Sequence, residues 1–245
     1  MTFADHLFAV VIALIQPVAG YVTFRRLLRR IAAGETINRY RLYNRTIIGQ
    51  WILFFILGAL WLANARPFAS LGFTLRIDLL FAAGLTITAI ALGLLLMQMR
   101  RLSTTEEQKA QVIREQLGEL NVLLPGTRSE LRRFYGVSLT AGIVEETIWR
   151  GFMFWYLGQF MPLWSAATIS TIGFALAHAY QGLAKLPRVT VVGATFALIY
   201  WLTGSLWLPM LLHAALDGLQ GLGMYRLMQR SGDSVSAREQ ASSTT

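Results

Sequence analysis

The chain has 245 residues, of which 55% are hydrophobic and only 14% charged, and its mean hydropathy is +0.49. That charge content is roughly half of what a soluble globular domain carries, so the composition excludes such a domain and predicts an all-α, polytopic transmembrane helical bundle. The net charge of +9 invites a nucleic-acid partner, but its placement, taken up below, argues against one; the absence of cysteine excludes a disulfide framework and thiol chemistry.

In chain order, about seven apolar spans can be drawn, at 6–24, 46–64, 78–98, 134–160, 163–181, 189–204 and 206–227. The first run, Leu7 to Val22, follows Asp5 and has no basic residue before it. A secretory signal shows the reverse charge and a small-x-small cleavage site, so the run reads as a retained membrane helix. Every basic residue except Arg66, Arg76 and Arg150 falls in the 25–45, 99–133 and 182–188 loops or near the C-terminus. In a seven-span topology those segments share one side. This positive-inside pattern predicts an outer N-terminus and a cytoplasmic C-terminus. It makes the arginines topology signals and lipid contacts, with no nucleic acid involved.

The 99–133 loop holds one polar-apolar element. Ser103 and Thr104 each have a glutamate three residues on, the spacing of a capping box. Ile113, Leu117, Leu120 and Leu124 then recur at helical spacing before Pro125-Gly126. The pattern predicts an amphipathic helix on the membrane surface, serving as a connector. Past Gln229 the small polar composition predicts disorder. The chain thus divides into 1–124, three spans with no buried charge plus the amphipathic helix; 125–230, a four-helix part with every candidate catalytic group; and 231–245, a disordered cytoplasmic tail.

The fourth span is the unusual one. Glu145-Glu146-Thr147-Ile148-Trp149-Arg150 lies inside the apolar stretch Phe134 to Phe160. A charge at mid-bilayer costs about 2.5–3.5 kcal/mol, while an apolar residue returns only about 0.5. Such groups must face protein or water, and an ionisable residue there points to a functional site. Glu146 and Arg150 are four apart on one helix face and can pair. Glu145 points about 100° away, free of Arg150 and available as a base. Phe174 and His178 in the fifth span, and His213 and Asp217 in the seventh, repeat the four-residue spacing.

These patterns carry a resemblance. Glu-Glu-x-x-x-Arg, then Phe-x-x-x-His, then His-x-x-x-Asp, in that order on separate membrane helices, is similar to the CPBP family. That family comprises the Rce1-type CAAX prenyl proteases and the bacteriocin-processing or Abi proteins. The resemblance spans about 125–230 and includes Arg150-Gly151 and Ser205-Leu206-Trp207. Trp149 stands where Phe is more usual, and Asp217 where Asn often is. The resemblance implies a glutamate-dependent intramembrane endopeptidase with a peptide or membrane-protein substrate and no cofactor.

By chemistry, Glu145 with His178 would hold and deprotonate a water. His213 would stabilise the oxyanion. Asp217, acceptor-only when ionised, would fix the His213 tautomer. Glu146 and Arg150 would be a structural pair beside the site. Two other readings stand next to this one. Glu145, His178, His213 and Asp217 could be zinc ligands, although no His-Glu-x-x-His pattern occurs. The fold could also be a non-catalytic scaffold or an immunity-type protein. The short loops fit a bacterial inner-membrane protein.

Overall fold

The computed structural model describes residues 1–103, 111–113, 115 and 117–243, with side chains to Gln229. Helices account for almost all of it, and no strand occurs among the described residues. Helix α1 runs Phe3–Ala32 and contains a π-helical stretch, Val11–Ile15, immediately before Gln16-Pro17. Pro17 has no N–H to give to the preceding turn, so a locally widened helix is the natural accommodation. Helix α2, Arg39–Ala63, starts where Asn38 Oδ1 accepts from the Arg41 N–H at 3.0 Å. Helix α3 spans Leu79–Ser103, and Asp78 Oδ1 accepts from the Phe81 N–H at its start.

Helix α4 covers 128–157, made of Arg128–Glu146, a π-helical turn Thr147–Phe152 and Met153–Leu157. A capping box opens it: Thr127 accepts from the Glu130 N–H while the Glu130 carboxylate accepts from the Thr127 N–H. Helix α5 is Leu163–Ala177, and α6 is Leu186–Thr203, ended by Gly204 at φ 60°. Helix α7 is Trp207–Ser243.

Helix α4 is the centre, with α2 on one side and α7 on the other. Contacts between Tyr43 and Phe134, Trp51 and Thr140, and Trp61 and Trp155 show that α2 and α4 run parallel. Gly142 meets Met210 and Ala214, and Gly221 meets Phe134, so α7 runs antiparallel to α4. A Cβ on Gly142 would lie 2.7 Å from the Met210 carbonyl oxygen. Only glycine permits that approach, and small residues are how membrane helices pack when lipid removes the hydrophobic drive. Phe8, Ile12, Leu57, Trp61, Leu71, Val144, Ile148 and Phe152 form the main core where α1, α2 and α4 meet.

Four helices are long and apolar enough to cross a membrane: Phe3–Ala32, Arg39–Ala63, Leu79–Leu102 and Leu183–Thr203. The membrane-helix expectation is therefore met, while the count of about seven is met only in those four. Leu163–Ala177 is apolar but short.

Two expectations are corrected. The N-terminal part does contain buried charge. Asp5 is fully buried, and both its oxygens accept from Arg66 at 2.7 Å. The surface element is not one helix to Leu124. Gly118 adopts φ 52°, and Gly118–Leu123 is a 3₁₀ turn, because a left-handed residue ends an α-helix. The Thr104–Glu107 and Glu106 part of the capping signal lies outside the described residues. The backbone of α7 is helical to Ser243. Residues 233–243 carry no proline, and extending an existing helix avoids the costly nucleation step.

Candidate active site

Within α4, Glu145 and Glu146 sit one turn before Arg150 and point in different directions, as helix geometry requires. Glu146 is fully buried. Its Oε1 accepts from Arg150 Nη1 at 2.8 Å and from His213 Nδ1 at 2.7 Å. The other guanidinium nitrogen of Arg150 donates to the Gly193 carbonyl at 2.9 Å. Phe174 lies 4.4 Å and Phe196 5.3 Å from the guanidinium carbon, ring face toward the cation. Gly193 leaves room for this: a Cβ there would stand 3.0 Å from Phe174 and 3.3 Å from Arg150 Nη2. The cluster therefore ties α4, α5, α6 and α7 together. Paired and multiply hydrogen-bonded, Arg150 and Glu146 meet the condition under which buried charges persist.

Glu145 faces the other way, toward α2 and α5. Gln50 Nε2 donates to its Oε1 at 2.7 Å. Its Oε2 is buried without a hydrogen-bond partner and stands 3.8 Å from His178 Nε2. His178 follows the last residue of α5, where backbone carbonyls lack partners. Its Nδ1 lies 2.8 Å from the Phe174 carbonyl oxygen. A carbonyl only accepts, so Nδ1 carries the proton. In the neutral ring Nε2 then presents its lone pair to Glu145. The two groups thus face each other across 3.8 Å.

His213 has a second neighbour. Its Nε2 is 3.6 Å from Asp217 Oδ2, beyond ordinary hydrogen-bond length. Asp217 is also more exposed than the rest, with 35% of its side chain accessible. Of the two carboxylates beside His213, Glu146 on Nδ1 is the closer and the drier. Phe174 lies between the two histidines, its centroid 4.5 Å from His178 and 6.1 Å from His213, and Phe196 stacks on His213 at 5.0 Å. Glu145, Glu146, Arg150, His178, His213 and Asp217 therefore form one connected neighbourhood.

Sequence reasoning missed Gln50, Phe196 and Gly193. A signal existed for Gln50, an amide between Ile47-Ile48-Gly49 and Trp51-Ile52-Leu53. A polar residue inside a span needs a partner as much as a charge does. The zinc reading requires several of these ligands around one point. Among the described residues no three His, Cys, Asp or Glu side chains gather as metal ligands, and His213 Nδ1 is already given to Glu146.

Beyond Tyr180, whose ring stacks 6.1 Å from that of His178, lies a cavity of about 500 Å³. Tyr21, Phe24, Arg25, Leu120, Tyr180 and Lys185 line it. The 3₁₀ turn forms one wall, held by Arg39 and Tyr43, which donate to the Val122 and Leu123 carbonyls. The site therefore approaches the surface at the arginine-rich end of the bundle.

No curated protein and no solved structure matches the chain. Residues 127–219, the part that holds every candidate group except Gln50, match the family model described as Type II CAAX prenyl endopeptidase Rce1-like. Over that segment the chain is similar to the Rce1-like family, a likeness consistent with the CPBP family and, at family level, with a CAAX-type protease of the membrane.

Proposed function

We propose that this protein is an intramembrane endopeptidase that hydrolyses a peptide bond through a water activated by Glu145. The observation that carries the reading is the gap between Glu145 Oε2 and His178 Nε2. Both are bases, both are directed at the same point, and neither is neutralised by a cation within hydrogen-bond reach. A water donating one proton to each keeps its oxygen lone pairs free to attack a carbonyl carbon.

As the new C–O bond forms, Glu145 takes the water proton. The carbonyl oxygen becomes an oxyanion. His213 in its imidazolium form keeps Nδ1–H on Glu146 and offers Nε2–H to that oxyanion. The C–N bond then breaks, and Glu145 returns the proton to the leaving amine. Arg150 and Glu146 hold the frame.

The substrate is a peptide or membrane-protein tail reaching the site from the arginine-rich side. Helices α4 and α7 and the shorter α5 complete a seven-span topology in a bacterial inner membrane, with the N-terminus outside and the C-terminus cytoplasmic. The supporting features are the arginine distribution and the cavity at that end.

The test uses purified protein in detergent and an internally quenched prenylated CAAX peptide, with and without chelator. Membrane peptides from cells carrying wild type or Glu145→Gln are compared in parallel. Cleavage that resists chelator and vanishes in Glu145→Gln is expected. Activity lost to chelator and restored by zinc overturns the metal-free mechanism. Identical peptide sets in both cell lines, with no cleavage of the probe, overturn proteolysis and favour the scaffold reading.

A further inference from the structure

We infer that Gln50, on α2 and outside the family-matched segment, is a positioning residue for Glu145; this rests on the proteolytic reading above. A free carboxylate has two equivalent oxygens and rotates between them. Here the amide of Gln50 donates to Oε1 at 2.7 Å. That single bond fixes the plane of the carboxylate and directs Oε2 to His178 at 3.8 Å.

The choice of an amide is chemically specific. Lysine or arginine would also donate to Oε1, but as a cation it would form an ion pair and weaken the carboxylate as a base. A hydroxyl on a shorter side chain would not span from α2 to α4. Gln50 orients Glu145 and leaves its charge uncompensated. The groups facing Glu145 from its other neighbours are His178 and, at longer range, Arg150 and Tyr180. None of them hydrogen-bonds either carboxylate oxygen of Glu145. The orientation therefore rests on Gln50.

This gives the N-terminal helices a direct part in the site. Trp51, the next residue, donates from Nε1 to Thr140 Oγ1 at 3.2 Å. Arg133 hydrogen-bonds Asn44 from the same two helices. These contacts fix the register of α2 against α4, and with it the place of the Gln50 amide.

The experiment compares wild type, Gln50→Leu, Gln50→Met, Glu145→Gln and the Gln50→Leu/Glu145→Gln double variant on the prenylated CAAX peptide. The Gln50 variants are expected to lose roughly 10- to 100-fold in kcat, the size of one hydrogen bond to a charged group. KM should stay within about twofold, because no substrate contact is removed. The double variant should be no worse than Glu145→Gln alone, since residues acting through one another are not additive. A second readout needs no turnover: the infrared carboxylate band that disappears in Glu145→Gln should shift in Gln50→Leu.

Unchanged kcat in both Gln50 variants, or an unshifted band, overturns the assignment while leaving the proteolytic site intact. Full activity in Glu145→Gln overturns the site itself. Poor accumulation of both Gln50 variants in the membrane also overturns the assignment, making Gln50 a packing residue.

Discussion

Asp5 and Glu146 are both fully buried carboxylates held by an arginine, yet their surroundings are finished differently. Asp5 has each oxygen matched by one Arg66 nitrogen at 2.7 Å, and Oδ2 also accepts from the Thr2 N–H and hydroxyl. Arg66 lies against the faces of Trp61 and Trp155. No lone pair points at anything that could react, and the pair clasps the start of α1 to the loop after α2. Around Glu146 the pairing stops short. Glu146 Oε2 and its neighbour Glu145 Oε2 are buried without hydrogen-bond partners, and two imidazoles stand beside them. Unmet acceptors in a dry place are destabilising. In the proteolytic reading proposed above, this is where water and substrate are held. The contrast separates a clasp from a site more sharply than the presence of charge does.

The largest effect that would sharpen this comparison is on activity alone. Glu145→Gln preserves shape and leaves the α4 frame untouched, so abundance should be unchanged while cleavage falls by about 10²–10⁴-fold, the range for loss of a general base. Western quantification of the membrane fraction beside the peptide assay checks both halves. If the variant disappears from the membrane, Glu145 belongs with the clasp.

Next come the two arginines, whose removal should split along the same line. Arg150→Ala strands Glu146 in the bundle, a loss of about 3–5 kcal/mol for a broken buried pair. Membrane-fraction level and detergent melting temperature should both drop, and activity with them. Arg66→Ala should cost less, about 3 kcal/mol at most, because part of the guanidinium already meets solvent. Its activity per folded molecule should stay at the wild-type value. Equal specific-activity losses in the two variants would erase the distinction drawn here.

A smaller effect is expected at Gly142. An added Cβ would meet the Met210 carbonyl at 2.7 Å, a backbone atom that cannot swing aside. Gly142→Ala should therefore push α7 off α4, costing about 1–3 kcal/mol. Because His213 follows Met210 by less than one turn, activity should fall more than stability does. Melting temperature and kcat measured together test the order.

How much of this was legible in the sequence depends on whether the partner lay on the same helix. The Glu146–Arg150 pair and the His213–Asp217 neighbourhood follow from a four-residue spacing, and spacing alone fixes a shared face. The separation of Glu145 from Arg150 follows from the same geometry. The Asp5–Arg66 clasp was not legible, because its members are 61 residues apart and each read plausibly as a flanking charge. Gln50 was hidden for the same reason: its role exists only once α2 is laid parallel to α4. The 3₁₀ turn after Gly118 was missed because a left-handed glycine interrupts a leucine periodicity that by itself suggests a continuous helix.

The smallest effect, and the finest division, concerns the two carboxylates on His213. Hydrogen-bond strength falls steeply with distance, and 3.6 Å is outside the normal range while 2.7 Å is at its short end. Glu146 is fully buried, whereas a third of the Asp217 side chain is accessible, so water screens Asp217 and not Glu146. Orientation of the imidazole should follow the closer, drier partner. Asp217→Asn is then expected to keep activity within about threefold of wild type, well under 1 kcal/mol on the barrier. Glu146→Gln, measured alongside, should lose far more, because it weakens the contacts to both Arg150 and His213. The decisive quantity is the ratio of the two variants' kcat/KM values. A ratio near one would mean that His213 is shared evenly between its neighbours. A larger loss in Asp217→Asn would return tautomer control to Asp217, and the site would then depend on its rim more than on its buried frame.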